Sequence, residues 1–315
     1  MTCSDCAAEE LHPRQGADGS FSLHSSRFGE GFHGSIGALR EARLKFVEPA
    51  QLERFSPGRQ LTVVDVAFGL GTNSASLLEA ARPLGLELVS HGLEIDGAPL
   101  RMALAAEPFR RQWQPPTLAM LETLLRAGRW SEAGHASRLH WGDARRGVRA
   151  LLQHHQLAAR CDLVLLDAFS PQRCPELWSL EFLTQLCRLL KPDGRLLTYC
   201  TAAAVRRSLQ LAGLSLASIQ PDRNPAGQQR GRPRQRTWSI GTAASPTPLP
   251  SAGPLVALSP MELEHLATKA AEPYRDPDGQ QPSEAILKAR RLAQAQGSAP
   301  STSAWRRRWQ REHSA

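Results

Sequence analysis

Six cysteines in 315 residues are too few for a disulfide framework. They do not complete a zinc site either: Cys3 and Cys6 form a CxxC pair with no second pair or nearby histidines to join it. Cys161, Cys174, Cys187 and Cys200 recur every 13 residues. The first and last fall on expected strands, the second in a loop and the third on a helix, so the spacing gathers no ligand set. No metal is expected. Long apolar runs are missing as well: none approaches the roughly 20 residues that cross a bilayer, so no membrane partner is expected. The opening Met1-Thr2-Cys3-Ser4-Asp5-Cys6 carries no basic segment followed by an apolar one, which argues against export and for a cytoplasmic protein. No internal repeat is present, which excludes a solenoid.

What the chain does have is enough apolar content, 41%, to fill one catalytic domain with extensions. It also has an uneven surplus of positive charge, net +8. Seven Lys/Arg and one Glu lie between Lys288 and Ala315, and Arg223, Arg230, Arg232, Arg234 and Arg236 form a second cluster without an acid. Such clusters fit phosphate backbones, and Trp305 and Trp309 flanking Arg306-Arg307-Arg308 add rings that stack on bases. The two tryptophans stand i, i+4, a spacing that equally docks a helix on the domain.

The most informative segment is Val63-Val64-Asp65-Val66-Ala67-Phe68-Gly69-Leu70-Gly71-Thr72-Asn73. A β-branched run ends in two glycines one residue apart, and a helix former, Ser76 to Ala81, follows. This is a buried parallel strand, a tight turn and a helix start, where backbone approaches a nucleotide. Asn73 and Ser74 cap that helix and present donors. The third glycine of a dinucleotide fingerprint is replaced by Ser74, and no phosphate-gripping Gly-Lys-Ser/Thr follows. A second strand delivers Glu94, placed to accept from ribose hydroxyls. Two glycines, no diphosphate cradle and a ribose-binding acid point to S-adenosyl-L-methionine.

Strands are expected near 62–68, 87–94, 138–142, 162–167, 195–200, 215–220 and 236–241, with helices near 73–82, 97–105, 145–156, 176–190 and 202–212. This alternation predicts an α/β fold: a Rossmann-like, seven-stranded, mostly parallel sheet whose last two strands form an antiparallel edge hairpin. Residues 1–19 are expected to be mobile, and a lead-in helical in its second half precedes the core. The catalytic domain is expected over 20–241 with an insertion at 107–137. A linker at 242–254 and an extension with a basic tail at 255–315 follow, the extension opening on an amphipathic helix over 261–271.

Three further residues carry candidate chemistry. Asp167 ends the fourth strand, where open α/β sheets bind ligands; a carboxylate there can bind or deprotonate an amine acceptor, or bind the cofactor by accepting from its own ammonium. Asp143 and Ala144 follow the third strand; by fold-level analogy the acid bonds an adenine amino group and the Ala144 amide reads a ring nitrogen. Arg232, Arg234 and Arg236, on the expected hairpin, are placed to grip phosphates at the same rim.

Phe68-Gly69-Leu70-Gly71-Thr72-Asn73 and Asp167-Ala168-Phe169-Ser170-Pro171-Gln172-Arg173-Cys174-Pro175-Glu176-Leu177-Trp178 resemble the methyltransferase of the MnmC-like tRNA-modification family. The lead-in from Asp18 to Leu23, Phe28-Gly29-Glu30, Gly37 to Ala42 and Pro273-Tyr274-Arg275-Asp276-Pro277 are similar to further segments of that family, over about residues 18–290. The resemblance implies a class I S-adenosylmethionine-dependent enzyme that methylates the exocyclic amine of 5-aminomethyl-(2-thio)uridine at the wobble position of tRNA. It implies cofactor contacts by Phe68, Gly69, Gly71, Thr72 and Asn73, a substrate-side role for Asp167, and substrate contacts by Glu41, Phe169 and Pro171. Many relatives carry a fused flavin-dependent oxidase; no second nucleotide motif is present here, so no FAD is expected. Ala67 stands where glycine often precedes Phe68, and Cys174 where Asn is common. Two other readings share these features: an aminopropyltransferase-like or small-amine N-methyltransferase, and a non-catalytic RNA-binding module with a degenerate cofactor site.

Overall fold

The structure, a computed structural model, describes residues 10–220 and 239–312, with side chains to residue 309. Apolar β-branched runs bounded by polar turns build its central sheet. The strands are β4 (Gln60–Val66), β5 (Glu87–Glu94), β6 (Arg129–Glu132), β7 (His135–Trp141), β8 (Cys161–Leu166), β9 (Leu190–Thr198), β10 (Ser215–Ile219), β11 (Gly241–Ser245) and β12 (Leu255–Val256). Three earlier strands, β1 (Leu11–Gln15), β2 (Phe21–Ser25) and β3 (Glu30–Gly31), form a separate antiparallel sheet.

The large sheet runs β12-β10-β11-β9-β8-β4-β5-β7-β6. β9, β8, β4, β5 and β7 are mutually parallel, with Val64 opposite both His91 and Val164. The chain builds outward from β4 through β5 to β7, then returns to the other side of β4 with β8. That reversal opens a crevice beyond the carboxyl ends of β4 and β8. Helices α3 (Thr72–Ala81), α4 (Ala98–Ala105), α5 (Glu107–Arg110), α6 (Pro115–Ala127), α7 (Ala144–Gln153), α8 (Leu180–Cys187) and α9 (Ala203–Leu211) connect the strands. They cover both faces, and two apolar clusters fill the space: one around Phe109, Leu121 and Leu163, the other around Trp178, Val164 and Leu186.

Four expectations change. Among the described residues the sheet has nine strands rather than seven, because the insertion supplies edge strand β6 after helices α5 and α6, and β12 closes the opposite edge. The reversed strand is not at the edge: β11 lies between β9 and β10, antiparallel to both. It covers Thr242–Ser245, which read as linker because Thr-Ala-Ala-Ser is small and polar. Small residues suit that place, since a Cβ at Gly241 would lie 2.6 Å from the Thr198 carbonyl oxygen. Finally, Leu11–Gln15, inside the stretch expected to be mobile, is a strand. It pairs with β2, whose Phe21 packs edge-on against Phe109 at 6.0 Å.

The lead-in becomes α1 (Ala38–Ala42), a wider π-helical segment over Arg43–Val47, and α2 (Glu48–Ala50). Asp18 sets its start: its Oδ2 accepts from the Arg40 N–H at 2.9 Å and its Oδ1 from Ser20 N–H at 2.9 Å. Gly37, at φ +102°, leaves room for that carboxylate, which any Cβ would strike. At the other end, α10 (Pro260–His265), α11 (Ser283–Gln296) and α12 (Thr302–Glu312) return against the domain. Trp305 of α12 is buried and stacks on His265 with ring centroids 4.3 Å apart, and Arg308 and Trp309 both donate to Glu264. The i, i+4 tryptophans thus dock this helix on α10. Among the described residues no helix is long and apolar enough to cross a membrane.

Candidate active site

The turn after β4 alternates left-handed residues: Ala67 at φ +61°, Gly69 at +56° and Gly71 at +79°. Phe68 drives into the core between two glycines; a Cβ at Gly71 would lie 2.8 Å from its ring and one at Gly92 2.7 Å from it. The ring locks the turn from beneath. Ala67 holds a conformation that costs an L-residue about 1–2 kcal/mol, more than the backbone-entropy cost of about 0.5–1 kcal/mol that glycine carries. Ala67→Gly is therefore expected to raise stability by about 0.5–1 kcal/mol, read as a higher melting temperature; a lower one contradicts the strain.

A cavity of about 620 Å³ opens above this turn at the ends of β4, β5, β7 and β8. At one side, Glu94 accepts from Gly69 N–H (2.7 Å) and Ile95 N–H (2.7 Å). Burial raises its pKa, against those N–H bonds. Asp143 caps α7, its Oδ1 accepting from Arg145 N–H at 2.8 Å, and shares its carboxylate with the Arg145 guanidinium at 2.7 Å. Burial pushes that carboxyl up, but the Arg145 bonds outweigh it and leave the group below its ordinary value.

Asp167 stands at the other side, at the tip of β8. Its N–H donates to the Val66 carbonyl (3.2 Å), so the loop after β8 is tied to the end of β4. Its Oδ2 accepts from Asn73 Nδ2 at 2.7 Å. Burial pushes the Asp167 carboxyl up to about 6; the Asn73 bond opposes this, the nearby Glu41 charge adds to it and Lys45 opposes it. Lys45 donates to Glu41 at 2.7 Å, and Glu41 also accepts from Gly34 N–H at 2.9 Å. Both side chains belong to the helix that widens over Arg43–Val47, and both reach the cavity.

The motif that begins at Asp167 explains itself in the structure. Trp178, fully buried, donates to the Phe169 carbonyl at 2.7 Å, and Tyr199 donates to the Ala168 carbonyl at 2.9 Å. Phe169 is thereby held in the cavity wall, stacked on Phe28 at 4.3 Å and edge-on to Phe32 at 5.1 Å. Glu30 accepts from Ser170 N–H at 2.9 Å and from its hydroxyl. The lead-in thus forms one wall of the site.

Gly69, Glu94, Asp143, Ala144, Asp167, Phe169 and Glu41 line the cavity together. Phe68, Gly71, Thr72, Asn73 and Pro171 do not. Phe68 and Gly71 shape the turn, Thr72 is buried as the first residue of α3, Asn73 acts through Asp167, and Pro171 is buried behind the wall. Arg232, Arg234 and Arg236 lie outside the described residues, as do Cys3 and Cys6. Phe28, Phe32, Lys45 and Tyr199 line the cavity without having been assigned a role from the sequence. For Lys45 a signal existed, its i, i+4 spacing from Glu41; the aromatic residues show none until the small sheet is folded against the domain.

The family model described as S-adenosyl-L-methionine-dependent methyltransferase matches residues 108–232. The chain is 33% identical over 207 residues to the tRNA 5-methylaminomethyl-2-thiouridine biosynthesis bifunctional protein MnmC of Azoarcus sp., covering 61% of this chain and 31% of that one. The MnmC of Pseudomonas paraeruginosa is 32% identical over 250 residues, 73% of this chain and 36% of that protein. The crystal structure of MNMC2 from Aquifex aeolicus superposes with a TM-score of 0.74 at 26% identity, covering 93% of this chain and 88% of that one. The chain is similar to the MnmC methyltransferases in both sequence and fold. It spans about a third of the length of the curated MnmC proteins it matches. The solved MnmC2 structure, by contrast, is matched over 88% of its chain.

Proposed function

We propose that this MnmC-like chain methylates the exocyclic amine of 5-aminomethyl-(2-thio)uridine at the tRNA wobble position, giving the 5-methylaminomethyl nucleoside, with tRNA in the cytoplasm as its partner. The observation that carries this reading is the joint placement of Asp167, Glu41 and the Gly69 turn around one cavity. The residues fit S-adenosyl-L-methionine: Gly69 brings bare backbone to the cavity, and Glu94 and Asp143 present carboxylates at the nucleoside side. When bound there, that cofactor supplies an electrophilic methyl group.

The chain's own residues prepare the acceptor. An alkyl ammonium has no free lone pair, so the amine must lose a proton before it attacks. Asp167 offers a carboxylate whose raised pKa makes it a better proton acceptor than an ordinary aspartate, and Asn73 fixes its orientation. Glu41 adds a second negative charge on the same side, attracting the cation, while Lys45 holds Glu41 in place. Phe28, Phe32 and Phe169 form an apolar wall for a base taken out of its stack.

Asp167 works ionised, so activity is lost as pH falls through its pKa. The acid limb of kcat/KM is expected near pH 6. Glu41→Gln removes a charge that raises this pKa, and the limb is expected to move to lower pH; an unmoved or raised limb contradicts the coupling. Function itself is tested in a deletion strain by mass spectrometry of tRNA nucleosides. The expected result is accumulation of the aminomethyl nucleoside with loss of its methylated form, and an unchanged profile refutes the proposal.

A further inference from the structure

The Pro273–Pro277 segment lies far along the chain from the sheet, yet it bonds Arg145, which lines the cavity. Asp276 is wholly buried. Its Oδ1 accepts from the N–H groups of Gln280 and Gln281, both at 3.0 Å, so a tight loop grips one side of the carboxylate. Its Oδ2 accepts from Arg145 Nη1 at 2.8 Å, and the same nitrogen donates to the Gln281 carbonyl at 3.1 Å. Glu181 on α8 anchors the loop from outside by accepting from Asp276 N–H at 2.8 Å.

Arg145 spends the rest of its guanidinium on Asp143. Nη2 donates to Oδ2 at 2.7 Å, and Nε lies 3.1 Å from both carboxylate oxygens. With the capping bond from Arg145 N–H, Asp143 accepts three N–H groups. These contacts fall two on each carboxylate oxygen, and Asp143 lines the cavity. A guanidinium held on both sides is a rigid fork; released from Asp276, it can turn toward solvent and take Asp143 with it.

We propose that Asp276 is a positioning residue for the nucleoside end of the cofactor: through Arg145 it fixes the Asp143 carboxylate that reads the 6-amino group of adenine. The C-terminal segment is then part of the cofactor site. This rests on the reading of the cavity as an S-adenosylmethionine site.

The test is calorimetric titration with S-adenosylhomocysteine and with S-inosylhomocysteine, in which a 6-oxo group replaces the amine and would oppose the carboxylate. The unaltered chain is expected to prefer the adenine ligand. Asp276→Asn is expected to weaken that ligand about tenfold, the scale of one charge-assisted hydrogen bond, and to leave the inosine ligand unchanged, so the preference shrinks. In an Asp143→Ala background, which has already lost the preference, Asp276→Asn is expected to add nothing. Should Asp276→Asn not fold, Arg145→Lys, which keeps the charge and removes the fork, is expected to give the same selective loss. Equal weakening of both ligands, or adenine affinity within about twofold of the parent, overturns the proposal. Failure of the unaltered chain to bind either ligand instead overturns the cofactor reading beneath it.

Discussion

Asp167→Asn is expected to lower kcat/KM for methyl transfer by about 10²–10⁴-fold, the range over which a positioned general base contributes. The substitution preserves shape and the space beside Asn73, but an amide cannot take the amine's proton. Cofactor affinity, measured by titration, should change far less than turnover, because the proposed nucleoside contacts are Glu94, Asp143 and the Gly69 turn, which line the same cavity. Activity retained within about threefold of the parent removes Asp167 from proton transfer. Loss of cofactor binding in step with activity would instead place the carboxylate on the cofactor's own ammonium.

The second large effect concerns the join between sheet and C-terminal extension. Arg206 of α9 and Glu262 of α10 are buried and lie 2.9 Å apart. Arg206 also donates to Thr242 Oγ1 (2.9 Å) and Ser239 Oγ (2.8 Å), while Glu262 accepts from the hydroxyls of Ser218 (2.8 Å) and Ser239 (2.6 Å). Burial pushes Glu262 up, but these bonds and Arg206 outweigh it and hold the carboxyl at about 2. Arg206→Met leaves that charge buried without its counter-ion, an expected cost of about 3–5 kcal/mol in urea or thermal unfolding. The double change with Glu262→Met removes both charges and should recover most of it. A double variant as unstable as the sum of two single losses would show that the pair is not coupled.

These two predictions mark what is legible in the sequence and what is not. The Gly69 turn, Glu94, Asp143 and Asp167 are each announced by an apolar strand ending in a chemically loaded residue, and the parallel topology brings such ends together. Asp167 itself is readable because it closes a run buried on both faces. Arg206–Glu262 is not readable: the residues are 56 positions apart, and their contact depends on β11, whose small residues pass for a linker. Phe28 and Phe32 are hidden for a related reason. Neither belongs to a strand: Phe28 sits in the turn before β3 and Phe32 just after it, and their place in the cavity wall is decided by packing on Phe169 rather than by local pattern. The basic cluster at Arg232–Arg236 falls outside the described residues. On α12, Trp305, Arg308 and Trp309 face the domain instead of serving as a free stacking platform.

The most direct measurement of the central claim is transfer of labelled methyl from S-adenosyl-L-methionine to tRNA purified from cells lacking this chain, followed by digestion to nucleosides. The account predicts label on the aminomethyl nitrogen of the wobble uridine, appearing with the parent chain and not with Asp167→Asn. Label on another nucleoside, or equal labelling by the two chains, would contradict it.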